Sequence, residues 1–128
     1  MNENEFQLIA NELHTVLPTG WTKTVLYAEI TENAYEIFYY CFVEGEDISI
    51  QCYKLPSLYE ITEKQIDVTI DRIAAIIKKA YTETEDKWSV MTFNINSMGK
   101  FNVEYDYSDL SEGSYEFKKV WKDKYLII

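Results

Sequence analysis

Apolar positions near the start of the chain recur at three- and four-residue steps: Phe6, Ile9, Ala10, Leu13, Val16 and Leu17. That period gathers them on one stripe of a helix facing a core. Pro18-Thr19-Gly20 stops it, because proline cannot continue the hydrogen-bond ladder and glycine relaxes the turn. From Trp21 onward the pattern is that of strands. Thr22–Ile30, Tyr35–Val43 and Ile48–Tyr53 are rich in β-branched and aromatic residues, and the polar stretches Thr31-Glu32-Asn33 and Glu44-Gly45-Glu46-Asp47 separate them. Short turns predict antiparallel neighbours. The second strand is apolar on both faces: Phe38, Tyr40 and Phe42 point one way, Ile37, Tyr39, Cys41 and Val43 the other. Such a strand is either covered on both sides or keeps one face for a partner.

Pro56 marks a loop, and Thr62 with Gln65 three residues later forms a capping box that opens a long helix. Ile66, Ile70, Ile73 and Ile77 are its buried stripe, Ala74 permits close approach, and the helix frays in Glu83-Thr84-Glu85-Asp86. A hairpin follows. Met91, Phe93 and Ile95 alternate with polar residues, Ser97-Met98-Gly99 turns, and Phe101, Val103, Tyr105 and Tyr107 alternate with Asn102, Glu104 and Asp106. After the loop 108–113, a short helix or extended tail carries Tyr115, Phe117, Val120 and Trp121, and Tyr125-Leu126-Ile127-Ile128 packs down. The order α-β-β-β-α-β-β, with a possible last helix, predicts an α+β fold in which helices pack on one face of an antiparallel sheet. With 128 residues and no linker or repeat, the expectation is a single domain over residues 1–128.

Charge changes this picture more than composition does. The formal net charge is −10, a field that repels nucleic acid and anionic membrane and favours basic partners. It is also lopsided: through Lys64 the chain has 3 basic and 11 acidic residues, a net of −8, and the remainder has 9 and 11, a net of −2. Two runs lack any basic residue. Thr24 to Tyr53 carries six carboxylates and Phe101 to Phe117 carries five (Glu104, Asp106, Asp109, Glu112 and Glu116), with tyrosines interleaved in both. Tyrosine rings that anchor, set among carboxylates that speed encounter, suit a cationic cleft on another protein. The residues placed on that surface are Tyr39, Glu104, Tyr105, Asp106, Tyr107, Asp109 and Glu112.

The chemistry of an enzyme is sparse. His14 is the single histidine and reads as a surface or boundary residue. There is no metal-ligand spacing and no nucleophile motif, and four glycines leave little from which to build a phosphate-cradling loop. No cofactor or metal is therefore expected. Cys41 and Cys52 lie in apolar segments and read as two buried reduced thiols of a cytoplasmic chain, although a hairpin could make them neighbours. The N-terminal Met1-Asn2-Glu3-Asn4-Glu5 lacks the basic start of a signal peptide, and no apolar stretch approaches the ~18 residues that span a membrane. Two alternatives stay open: a metal-dependent hydrolase using Glu104, Asp106 and Asp109, and a homo-oligomeric module paired through the second apolar face of the strand Tyr35–Val43.

Several blocks together resemble a known family. They are Ile9-Ala10, Pro18-x-Gly20-Trp21, Leu26-Tyr27-Ala28-Glu29-Ile30 and Glu36-Ile37-Phe38-Tyr39-Tyr40 in the first half. In the second half they are Trp88-Ser89-x-x-Thr92-Phe93, Gly99-Lys100-Phe101, Tyr105-Asp106-Tyr107-x-Asp109-Leu110 and Trp121-x-x-Lys124-Tyr125-Leu126. In order and spacing they resemble the YezG-like immunity (antitoxin) proteins of Gram-positive bacteria. The resemblance implies a cytoplasmic protein that binds and inhibits a cognate LXG-type or type VII-secreted toxin, often a nuclease, and it brings no catalytic residues. The chain departs from the family pattern at Ile73-Ala74-Ala75-Ile76-Ile77-Lys78-Lys79, where relatives are often more acidic, and at Asp86-Lys87, where a proline commonly precedes the tryptophan.

Overall fold

A computed structural model describes residues 1–31 and 34–127. Helix α1 (Glu3–His14) starts at a capping box: the Asn2 side chain accepts from the Glu5 N–H, and the Glu5 carboxylate accepts from the Asn2 N–H. Three long strands form the sheet's centre: β1 (Trp21–Ile30), β2 (Tyr35–Val43) and β4 (Val90–Asn96). Two short ones form its edges, β3 (Ile50–Gln51) and β5 (Phe101–Asp106). The order across the sheet is β3-β2-β1-β4-β5, antiparallel throughout. Two helices lie between β3 and β4, a single turn α2 (Leu55–Leu58) and the 20-residue α3 (Glu63–Thr82), and α4 (Tyr115–Tyr125) closes the series. The fold is α+β, as the periodicities predict.

The segment expected to be a third strand, Ile48–Tyr53, is mostly something else. Only Ile50 and Gln51 pair with β2, because the Gln51 side chain accepts from the Tyr53 N–H at 2.7 Å and bends the chain into a 3-10 turn, Cys52–Lys54. A local side-chain acceptor has replaced the ladder. Pro56 then sits in the first turn of α2, where a missing N–H costs nothing. The predicted turn after β1 falls partly on residues 32 and 33, and the packing expected of Ile128 also lies outside the described residues. The β4–β5 turn is as expected, with Gly99 at φ +84°, a left-handed conformation that glycine adopts without a Cβ clash.

Both faces of the sheet are apolar, and each is covered. On one face Leu26, Ala28, Tyr39, Met91 and Phe93 pack under Ile9 and Leu13 of α1 and the isoleucine stripe of α3, all fully or almost fully buried. Thr15 meets Thr69 at 3.4 Å where these two helices touch. On the other face Val25, Tyr27, Phe42 and Val90 pack under Trp121 of α4. The expectation of helices on one face holds for α1 and α3 and is corrected for α4. The cause is the second apolar row of β2, which needs its own cover. That cover also removes the surface on which pairing with a second copy through β2 was considered.

Trp121 is the centre of this second layer. Its ring stands edge-on to Tyr27 and Phe38, with centroids 5.2 and 5.8 Å away, and its indole N–H donates to the buried Thr92 hydroxyl at 2.9 Å. Trp121→Ala removes both the packing and the partner of Thr92, and is expected to cost about 3–5 kcal/mol, read as a lower urea midpoint. Trp121→Phe keeps most of the packing and should lose less.

Cys41 and Cys52 are free and buried in the α1/α3 layer. Burial pushes the Cys41 thiol up to about 12 and the Cys52 thiol up to about 11, from an ordinary value of 9.0. Between those values the unfolded chain releases protons that the folded chain retains, so stability falls as pH rises above about 9. Alkylation at pH 8 should leave both thiols intact in the native protein and label both in urea, as mass spectrometry would record.

Candidate functional site

The last strand and the last helix bring the acidic run of the second half into three dimensions. Alternation along β5 sends Asn102, Glu104 and Asp106 to the α4 side of the sheet, while Phe101, Val103 and Tyr105 point to the α1 side. α4 lies across the sheet with Phe117, Trp121 and Tyr125 turned inward. Tyr115 and Val120, 72% and 67% exposed, face water. Between β5 and α4 runs a half-open groove of about 500 Å³, lined by Thr92, Glu104, Asp106, Phe117, Trp121 and Lys124, among others.

The seven residues singled out from the sequence do not form one surface. Tyr39 is fully buried, and its hydroxyl donates to the Val16 carbonyl at 3.0 Å, tying β2 to the end of α1. It is a core residue, because its position in β2 puts it on the α1/α3 face. Glu104 stands at the groove, where the Tyr125 hydroxyl donates to it and Lys124 lies 3.8 Å away. Asp106 is half-buried and accepts from the Ser108 N–H at 2.7 Å. Asp109 does the same for Ser111 at 2.9 Å, and that bond holds its carboxyl below the usual range. These two aspartates thus shape the loop after β5 by local turns. Glu112 is exposed further along that loop.

Tyr105 and Tyr107 belong to a different corner. Tyr105, 37% exposed, tilts against Trp88 at 5.5 Å, and burial raises its pKa, assisted by the charge of Glu5 on α1. Tyr107, 55% exposed, donates to Asp86 at 2.7 Å, and that bond raises its pKa. Periodicity within β5 could not reveal Glu5 and Asp86 as neighbours, since both come from distant parts of the chain. The result is a corner where two half-exposed tyrosines sit near carboxylates from α1 and from the α3–β4 loop, Glu5 and Asp86.

The fold also supplies cations where the sequence showed a run without them. Lys118 reaches Glu36 on β2 at 2.5 Å, and Lys124 approaches Glu104. Both pairs are partly exposed, so each is worth about 0.2–1 kcal/mol. They help seat α4 on the sheet. Glu104, Asp106 and Asp109, considered as a metal-binding set, do not converge. Among the described residues no three His, Cys, Asp or Glu groups gather to hold an ion. His14 is exposed and stands nearly perpendicular to the Trp21 ring, with centroids 5.8 Å apart. No helix of the described residues is long and apolar enough to cross a membrane.

Comparison with known proteins agrees with the blocks read from the sequence. Residues 3–128 match the family model described as immunity protein YezG-like. Among curated relatives, Immunity protein YezG of Bacillus subtilis is 24% identical over 128 residues, covering 94% of this chain and 85% of that protein. Immunity protein YezG of Bacillus spizizenii is 24% identical over 109 residues, 82% of this chain and 68% of the relative. The type VII secretion system protein EsaG of Staphylococcus aureus is 23% identical over 121 residues, 91% of this chain and 73% of its own length.

The two kinds of tyrosine separate experimentally. Tyr39→Phe orphans the buried Val16 carbonyl and is expected to destabilise by about 1–3 kcal/mol in urea unfolding. Tyr107→Phe, which loses only a surface bond, should leave the unfolding midpoint almost unchanged.

Proposed function

Because the chain belongs to the YezG-like immunity protein family, we propose that it acts as one domain in the cytoplasm, binding and inhibiting a cognate secreted toxin by stoichiometric association. The family match over residues 3–128 carries this reading. The relatives are named as immunity proteins and, in one case, as a type VII secretion protein, which supports a toxin of that export route as the partner. The chain acts without turnover, and needs no cofactor.

The toxin is a nuclease with a cationic groove. A groove built for phosphates attracts carboxylates by the same field, and a chain of net charge −10 approaches it faster than a neutral one would. The contact surface is the corner of Tyr105 and Tyr107, with Glu112 beside them in sequence. Asp106 and Asp109 also fix the loop, and Glu104 also holds α4. The rings supply buried area at low conformational cost, and the carboxylates supply rate and register.

The test is a titration of a candidate secreted nuclease-toxin domain with this chain, with nuclease activity as the readout. Inhibition should be complete at about one equivalent, and association should slow as salt rises from 50 to 300 mM, since exposed charges are screened. Inhibition by catalytic amounts, or substrate turnover by the purified chain alone, would overturn the proposal.

A further inference from the structure

The open edge of β5 offers main-chain groups as well as side chains. Just outside the two ends of β4, the Ser97 N–H donates to the Thr22 carbonyl and the Ser89 carbonyl accepts from Ile30, while the Ser89 N–H already turns to Asp106. Within β4 the odd-numbered residues bond β1 and the even-numbered ones turn to β5. Asn96 donates to Lys100 across the turn, and the register Asn94↔Asn102, Thr92↔Glu104 continues from it. Lys100, Asn102 and Glu104 therefore spend their N–H and C=O groups on β4. Those of Phe101, Val103 and Tyr105 point away from the sheet. Among the described residues no strand lies beyond β5, and no backbone or side chain is hydrogen-bonded to these three main-chain units.

Proteins usually protect such an edge with a proline, a bulge, a lysine in the strand or a covering loop. None of these lies within Phe101–Asp106, and the β4–β5 register runs without a shift. At the opposite edge β3 pairs only Tyr40 and Cys41 of β2 before the chain turns away. The open edge is bordered by an apolar and aromatic row on one side, Phe101, Val103 and Tyr105, and by Glu104 and Asp106 on the other.

We infer that β5 is a docking edge for an extended segment of the toxin, which adds to the sheet as a sixth strand beside Phe101–Asp106. This rests on the proposed inhibitory function and names the contact by which it is made. The occupant has a strand's two-residue alternation. Apolar side chains lie over Phe101, Val103 and Tyr105, and lysine or arginine side chains lie over Glu104 and Asp106. Charge decides between this occupant and a second copy of the chain: two copies at −10 each repel, whereas a cationic strand is drawn in. Main-chain bonds give such a contact its strength, and the alternate side chains give its specificity.

Hydrogen exchange followed by NMR, with an activity-dead variant of the same toxin domain, tests the inference. The amides of Phe101, Val103 and Tyr105 exchange quickly in the free protein and should become protected in the complex. Val103→Pro removes an outward N–H that the sheet itself does not use, so the variant should fold and bind roughly 10- to 100-fold more weakly. Asn102→Pro, by contrast, breaks a bond to β4 and should unfold the hairpin. Failure of the wild-type chain to bind the toxin domain would sink the inhibitory function itself. Binding with those three amides still exchanging freely would sink the strand addition alone, whether or not Val103→Pro folds. Protection that grows with concentration of the chain by itself would assign the edge to a second copy instead.

Discussion

The constraint that governs this molecule is a sheet with no wet face at its centre. β1 and β2 carry large apolar residues on both sides: Leu26 and Tyr39 on one, Tyr27 and Phe38 on the other. A sheet of that kind is stable only as the middle of three layers. One outer layer is built from two helices joined early to the sheet, α1 and α3. The other is a single 11-residue helix, α4, which has to cover the rest with few side chains. Trp121 meets that demand because it combines a large ring with a donor that satisfies Thr92, the polar group its own burial would otherwise strand. The lysines around it, Lys118 and Lys124, reach down to carboxylates on the strands and align the helix.

Much of this was legible in the chain itself, because the governing signals are local. The stripe Ile66, Ile70, Ile73 and Ile77 and the capping pair Thr62 and Gln65 mark α3 without any knowledge of its surroundings. The alternation from Met91 to Tyr105 marks the hairpin in the same way. Local signals failed where a competing bond decided the outcome, as at Gln51, whose side chain ended β3. They failed again where apolarity had two possible explanations. The row Phe38, Tyr40 and Phe42 had to be covered by something, and whether by the chain's own helix or by a partner depended on how α4 returned.

For the candidate site the sequence offered residue types without their grouping. A run of carboxylates without a lysine is a statement about one dimension, and the fold inserts Lys124 beside Glu104 from twenty residues away. It likewise brings Glu5 and Asp86 to the tyrosines of the β5 end. Tyr39 was drawn into the surface set by its type alone. Its alternation phase in β2, shared with Ile37 and Cys41, is the signal that assigns it to the core. Two aspartates chosen for their charge turn out to hold the shape of a loop, so that neutralising them would confound geometry with electrostatics.

The position of α4 has a consequence for how the protein comes into being. Until residues 115–125 dock, the second face of the sheet, with Tyr27, Phe38, Tyr40 and Phe42, is bare. During that interval the chain resembles an aggregation-prone sandwich missing one slice. A ribosome stalled before Tyr115, or a protease that clips the loop ahead of it, leaves that state permanent. How long that state lasts is set by how fast the 11-residue α4 docks.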